Sequence, residues 1–288
     1  MKVAFIGLGV MGYPMAGHLQ KAGHQVCVYN RNQAKAAQWQ IEFGGNIAQT
    51  PALAAHDCDI AFCCVGNDDD VRQVTLGKEG ILAGLAKGSI FVDHTTASAT
   101  LASELAVVAQ EQGKFFLDAP VSGGQAGAEN GVLTVMVGGD ESVFAKAEPV
   151  MAAFSRFCQL MGPVGSGQLA KMVNQICFVN VVQGLAEGLN FAQKAGLDTD
   201  KLLETLGKGA AGSWQMDNRG KTMCAREFDF GFAVDWVRKD LSMAFEEAEK
   251  IGADLTVTKQ LDGYYEEIQA KGGNRSDTSS LISRFNKG

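Results

Sequence analysis

The chain has 288 residues and a mass of 30.5 kDa, with 25 Lys and Arg against 32 Asp and Glu, giving a net charge of −7 and a pI near 5.2. With no basic tail and no cationic half, this balance argues against nucleic acid or an anionic membrane surface as partner. Hydrophobic residues at 46% and charged residues at 20% exclude disorder as the main state, and the length suits one large or two medium domains.

In chain order, Lys2 to Ile6 is expected as a strand, Met15 to Ala22 as a helix and Gln25 to Tyr29 as a second strand, a βαβ unit of about 30 residues. Short apolar runs bounded by turn residues follow at Ile60 to Val65, Ile90 to Asp93, Phe115 to Asp118 and Leu133 to Val137. Helical stretches such as Thr100 to Gln112 and Glu141 to Ala153 lie between them. Near-continuous apolar strands alternating with helices predict a parallel sheet covered on both faces. A Gly/Pro cluster, Met161-Gly162-Pro163-Val164-Gly165-Ser166-Gly167, ends the alternation. The boundary is therefore placed between a 1–162 domain and a 163–288 domain. The second domain reads as all helix: a long one over Gln168 to Ala195, then Asp200 to Leu206, Asp235 to Ile251, Asp254 to Ala270 and a short one at Ser279 to Phe285. The long helix carries apolar residues on much of its surface, with Gly184 and Gly188 four apart, which suits burial by neighbours or by a second subunit.

Seven cysteines, including the adjacent Cys63-Cys64, show no zinc-type spacing, and four scattered histidines offer no i,i+4 pair. No metal site is expected, and a reduced, cytoplasmic compartment is. No apolar run approaches the ~20 residues of a membrane span, and the glycine-broken start reads as a strand rather than a signal peptide.

Gly7-Leu8-Gly9-Val10-Met11-Gly12 follows an expected strand and opens an expected helix, the context that a dinucleotide-binding loop requires. Glycines there permit a tight turn and close approach of backbone N–H groups to a pyrophosphate, and the helix N-terminus adds positive potential. The second strand ends in Asn30-Arg31, with Lys35 a turn later, where an NAD enzyme would place a carboxylate for the ribose 2′-hydroxyl. A guanidinium without that carboxylate favours NADP, with NAD as the alternative. Ala119-Pro120-Val121-Ser122-Gly123-Gly124 is a glycine-rich loop after a strand; its backbone N–H groups and the Ser122 hydroxyl suit a carboxylate, or the loop is simply a helix entry. Asp93-His94-Thr95-Thr96 ends another strand and belongs at the same sheet edge. Asp68-Asp69-Asp70 reads as a helix start. Lys171 and Asn174, three apart, project from one face of the long helix. A lysine beside a nucleotide site is a candidate proton donor for a carbonyl undergoing hydride reduction, because partial burial or a nearby cation lowers an amine's pKa.

Together these segments resemble the 3-hydroxyisobutyrate dehydrogenase family, more broadly the β-hydroxyacid dehydrogenases, over essentially the whole chain. Phe5-Ile6-Gly7-Leu8-Gly9-Val10-Met11-Gly12-Tyr13-Pro14-Met15-Ala16 is similar to the family's N-terminal signature, and Asp118 to Gly124 to its substrate loop. Gly167 through Lys171 to Asn174 is similar to its catalytic helix, and Lys239-Asp240-Leu241 to its late cofactor-side motif. The resemblance implies an α/β Rossmann-like N-terminal domain followed by an all-α C-terminal domain, usually as a homodimer or homotetramer. It implies Lys171 as general acid/base, Ser122, Gly123, Gly124 and Asn174 as substrate ligands, and Thr96 and Lys239 near the nicotinamide. Val65-Gly66 would face the cofactor at the third βα turn, where many relatives carry Leu-Pro. A small hydroxy acid or its semialdehyde is the implied substrate. Three rivals are an imine reductase on the same architecture, which usually lacks lysine at the position of Lys171, a phosphogluconate dehydrogenase, which usually needs a longer helical region, and a non-catalytic nucleotide-binding module.

Overall fold

The computed structural model describes residues 1–285. Contacts divide the chain into two compact units, Met1–Lys171 and a second beginning at Met172.

The first unit is built on a nine-stranded sheet among the described residues, in the order β3-β2-β1-β4-β5-β6-β8-β7 with β9 beside β8. Its strands are β1 (Lys2–Ile6), β2 (Gln25–Tyr29), β3 (Asn46–Ile47), β4 (Ile60–Cys63), β5 (Ile90–Asp93), β6 (Phe115–Asp118), β7 (Val121–Ser122), β8 (Leu133–Gly138) and β9 (Ser155–Gly162). The first six in the order pair in parallel, Ile6 opposite Tyr29 and Cys63 opposite Asp93. β8 runs antiparallel to β6 and β7, so the expected parallel sheet is a mixed one. The cause is connection length: β6 and β7 share one register against β8, and residues 123–132, which lead from β7 into β8, are too few for the crossover that parallel pairing needs, so the chain returns as a hairpin.

Residues alternate faces along each strand, and the two faces hold separate cores. Val3, Phe5, Phe62 and Val92 pack on one side with Met15 and Leu19 of α1 (Gly12–Lys21) and Trp39 of α2 (Gln33–Phe43). Val143 and Val150 of α8 (Glu141–Met151) close that layer. Ala4, Ile6, Ala61 and Phe91 face α3 (Pro51–Ala55), α4 (Asp68–Thr75), α5 (Ile81–Gly84) and α6 (Ala99–Glu111). Trp39 is fully buried and its Nε1 donates to Tyr13 O at 3.1 Å, which fixes α2 against α1 and satisfies the indole's one donor. A short α7 (Gly124–Glu129) follows β7.

α9 (Ser166–Lys194) is a single 29-residue helix, and Lys171 and Met172, where the two units divide, both lie within it. The second unit continues as α10 (Thr199–Leu206), α11 (Trp214–Ala225), α12 (Val234–Ile251), α13 (Thr256–Ala270) and a 3-10 turn at Thr278–Arg284. Its core joins Val179, Val182 and Leu189 of α9 to Met223, Val237, Leu241, Leu261 and Tyr265. Among the described residues no helix is long and apolar enough to cross a membrane.

Candidate active site

The Gly7 to Gly12 loop is held by backbone geometry before any ligand is considered. Gly7 adopts φ +94°, a region costly for a side chain, and its N–H donates to Tyr29 O at 2.9 Å. A Cβ on Gly12 would lie 2.0 Å from the Gly7 carbonyl oxygen and 2.8 Å from the Phe5 ring, so α1 starts against β1 only without one. A Cβ on Gly9 would meet nothing within 4 Å, leaving open space over the loop. The α1 N-terminus has no side-chain cap. An uncapped ten-residue helix behind an open glycine loop fits a dinucleotide pyrophosphate, whose charge complements the positive end of the helix dipole.

Asn30 faces this loop: its Oδ1 accepts from Leu8 N at 2.9 Å, and its Nδ2 donates to Asn32 O at 3.0 Å. Arg31 is exposed and its Nη1 lies 3.7 Å from Asp70 Oδ1 at the start of α4. Lys35 Nζ sits 6.0 Å from the Tyr13 ring centroid, in a cavity of about 540 Å³ bordered by Gly9 and Val10. The three aspartates 68–70 open α4 as the sequence suggests, with Asn67 Oδ1 accepting from Asp70 N at 2.9 Å. Asp68 in turn accepts from Ser98 N and Oγ, tying α4 to the start of α6.

The carboxyl ends of β4, β5 and β6 are joined by buried polar groups. Val65 N donates to Thr95 Oγ1 at 3.0 Å, and Thr95 N to Asp93 Oδ1 at 3.0 Å. Burial lifts Asp93 to about 7, its Thr95 contacts opposing that rise and the neighbouring Asp118 adding to it. His94 is buried with Nδ1 2.6 Å from Ala119 O, so the proton lies on Nδ1, and desolvation lowers its pKa to about 4. Its ring stacks on Phe62 and meets Phe154 edge-on.

Asp118, at the end of β6, anchors the start of α9. Its carboxylate accepts from Gly165 N at 2.7 Å and from Gln168 N at 2.9 Å, placing negative charge at the helix N-terminus. Desolvation raises its pKa and those backbone donors work against the rise. A Cβ on Gly138 would lie 2.4 Å from Asp118 Oδ1, and one on Gly167 would lie 2.8 Å from Asp118 Oδ2 and 2.5 Å from Met136 O, so both glycines make room for the anchor. Gln168 is 1% exposed; its Nε2 donates to Thr95 O at 2.8 Å and its Oε1 accepts from Ala97 N at 3.0 Å. Lys171, one turn later, is 8% exposed. Ser122 pairs across the sheet with Thr134, Gly123 adopts φ +136°, and α7 begins at Gly124 with no side-chain cap. His18 Nε2 lies 3.1 and 3.0 Å from Ala128 O and Glu129 O, tying α1 to the end of α7.

In the second unit, Asn174 and Lys239 end one polar chain. Asn174 Nδ2 donates to Gln175 Oε1 at 2.8 Å, and Gln175 Nε2 donates to Asp240 Oδ2 at 2.6 Å. Lys239 Nζ pairs with Asp240 Oδ1 at 3.1 Å and sits 5.8 Å from the Trp236 ring centroid. Gln175 and Asp240 are each 3% exposed, so the chain is largely shielded from water.

The structure thus links Leu8 to Asn30 directly, Val65 to the Thr96 segment through Thr95, and Asn174 to Lys239 through two buried residues. It pairs Arg31 with Asp70 instead of with another proposed site residue. Sequence reasoning gave no role to Gln168, Gln175 or the Asp118 carboxylate. The signal was present: Gln168, Lys171 and Gln175 recur at i, i+3 and i+7, one helical face on which three long polar side chains are buried.

Two family models match the chain. The NAD binding domain of 6-phosphogluconate dehydrogenase matches residues 2–162, and the NAD-binding domain of NADP-dependent 3-hydroxyisobutyrate dehydrogenase matches residues 165–285. An uncharacterized oxidoreductase of Shewanella frigidimarina is 61% identical over 99% of this chain and 98% of its own. A probable 3-hydroxyisobutyrate dehydrogenase-like 1, mitochondrial protein of Arabidopsis thaliana is 42% identical over 98% of this chain and 84% of its own. Among solved structures, a 3-hydroxyisobutyrate dehydrogenase of Mycobacterium tuberculosis with L-serine superposes with a TM-score of 0.87 at 28% identity, covering 98% of both chains.

Proposed function

The chain belongs to the 3-hydroxyisobutyrate dehydrogenase family of NAD(P)-dependent β-hydroxyacid dehydrogenases, and from that premise we propose that it interconverts a small β-hydroxy acid and its semialdehyde, with Lys171 as general acid/base. The observation that carries this reading is a buried lysine one turn into a helix whose first residues are fixed to two strand ends by Asp118 and Gln168. A bound nicotinamide dinucleotide supplies or takes up the hydride. In reduction the Lys171 ammonium delivers a proton to the carbonyl oxygen as negative charge grows there; in oxidation its amine takes the hydroxyl proton. The Ser122 hydroxyl with the Gly123 and Gly124 N–H groups holds the substrate carboxylate, and Asn174 is a further substrate ligand.

Gly7, Leu8, Gly9, Val10, Met11 and Gly12 hold the pyrophosphate, Asn30 and Arg31 the adenosine ribose, and Val65, Gly66, Thr96 and Lys239 the nicotinamide side. Arg31, with Asn30 where a ribose-binding carboxylate would stand, supports NADP over NAD. A carboxylate with a neighbouring hydroxyl is also the chemistry of the L-serine in the mycobacterial structure. The domain division at 1–162 and 163–288 is supported by the gap between the two family matches. A homodimer or homotetramer is supported by an exposed stripe along α9, with Leu169 39%, Val173 59%, Val181 42% and Phe191 73% accessible. A cytoplasmic location is supported by the seven cysteines without zinc-type spacing.

The test is absorbance at 340 nm with β- and γ-hydroxy acids and their semialdehydes, each with NAD(H) and NADP(H), beside Lys171→Ala. Turnover of one substrate that vanishes in Lys171→Ala is the expected result. Cofactor binding with no turnover of any substrate moves the assignment to an imine substrate or a non-catalytic module.

A further inference from the structure

Thr96 sits in a segment held from one place outside it. Thr95 O accepts from Gln168 Nε2 at 2.8 Å, and Ala97 N donates to Gln168 Oε1 at 3.0 Å, so one amide grips the backbone on both sides of Thr96. Gln168's own N–H donates to the Asp118 carboxylate at 2.9 Å, and Lys171 is the third residue onward. A side chain 1% exposed, with donor and acceptor both matched, has one orientation: flipping the amide would set Nε2 against an N–H and Oε1 against a carbonyl.

We propose that Gln168 is a positioning residue for hydride transfer, fixing the distance between the Thr96 segment, on the nicotinamide side, and the helical turn that carries Lys171. The inference rests on the acid/base reading of Lys171 given above. Hydride and proton transfer in the same turnover need both groups placed together, and a misplacement near 1 Å costs on the order of 100-fold in rate. Gln168 touches neither donor nor acceptor of the hydride; it acts through the segment it holds.

Gln168→Met keeps the side-chain length and removes both hydrogen bonds. Expected are a kcat lower by about 10- to 100-fold, a larger deuterium isotope effect with C4-deuterated NADPH, and a fluorescence-titrated NADPH Kd within about threefold of wild type. Amide exchange at Ala97 should accelerate, because that N–H loses its acceptor. Gln168→Glu supplies the rescue: its protonated carboxyl repeats the amide's donor and acceptor, whereas its carboxylate opposes Thr95 O. Its kcat relative to wild type should therefore recover as pH falls from 8 towards 5. The ratio is the readout because Asp93 at the end of β5, His94 after it, Asp118 on β6, Asp68 at the start of α4, Cys63 at the end of β4 and Lys171 on α9 are present in both proteins.

Wild-type kcat in Gln168→Met, with Lys171→Ala inactive, overturns the positioning role alone. A loss confined to NADPH affinity, or a Gln168→Glu ratio as low at pH 5 as at pH 8, overturns it too. Turnover surviving in Lys171→Ala overturns the acid/base reading and this inference with it.

Discussion

Asp93 and His94 are adjacent and buried, and their surroundings shift them in opposite directions, so pH separates their effects on stability. Burial raises Asp93 from 3.8 to about 7 and lowers His94 from 6.5 to about 4. For Asp93 the folded pKa lies above the unfolded one. The native state therefore holds the extra proton between these values, and stability falls by about 4 kcal/mol as pH rises through them. For His94 the folded pKa lies below. The native state holds fewer protons, and stability rises by about 3 kcal/mol as pH climbs through that interval. In the wild-type chain the two slopes oppose and largely cancel. Asp93→Asn keeps the acceptor for Thr95 N and removes the first slope only. Relative to wild type it should gain about 2 kcal/mol at pH 5.5 and about 4 kcal/mol at pH 8. Urea unfolding followed by circular dichroism across that range measures the difference between the two proteins, in which the other titrating groups cancel. Parallel stability curves for Asp93→Asn and wild type would refute the reasoning.

Other outcomes follow from the same geometry. Gly12→Ala should lower the melting temperature by several degrees, since its Cβ lands 2.0 Å from a backbone oxygen, an overpacking worth about 1–3 kcal/mol or more. Gly9→Ala, with open space around its Cβ, should leave melting unchanged and weaken NADPH binding in a fluorescence titration; a shared loss of stability would remove the distinction. Arg31→Ala should raise the Kd for NADPH about 10-fold or more while leaving that for NADH within twofold, as a lost charge-assisted phosphate contact does, and equal losses would place Arg31 away from the 2′-phosphate. Val181→Asp, at a position 42% exposed on α9, should reduce the oligomer mass measured by light scattering without lowering helix content; an unchanged mass would assign the interface elsewhere.

Much of this organisation is legible in the residues because it is local. The strands at Lys2–Ile6, Gln25–Tyr29, Ile90–Asp93 and Phe115–Asp118 lie where apolar runs bounded by turn residues put them. β9 escaped notice because it is an edge strand with little burial, Arg156, Phe157 and Met161 all being exposed. α11 escaped because few apolar residues mark its buried face, which includes Gln215 and Gly220. The site divides the same way. The glycine loop announces itself by spacing and Lys171 is singled out only by its company with a nucleotide-binding domain and by the family resemblance, whereas the partners of Gln168 lie 50, 71 and 73 residues away, and no periodicity reports a contact at that separation.

The Asp118 anchor carries a further consequence, for how such a chain evolves. Its carboxylate occupies the volume that a Cβ at position 138 or 167 would need, and it accepts the N–H groups at the head of α9. Drift at 138 is blocked by the Asp118 carboxylate, and drift at 167 by that carboxylate together with two backbone oxygens. A shorter residue at 118 orphans the helix N–H groups, and any side chain at 138 or 167 meets the carboxylate. Positions 118 and 138 should therefore covary, while 167 stays glycine whatever stands at 118 because the Met136 and Asp118 backbone oxygens lie 2.5 and 2.7 Å from its Cβ position; an aligned sequence with a bulky residue at 138 should also have replaced the aspartate. Such a chain would have to hold its long helix by another route.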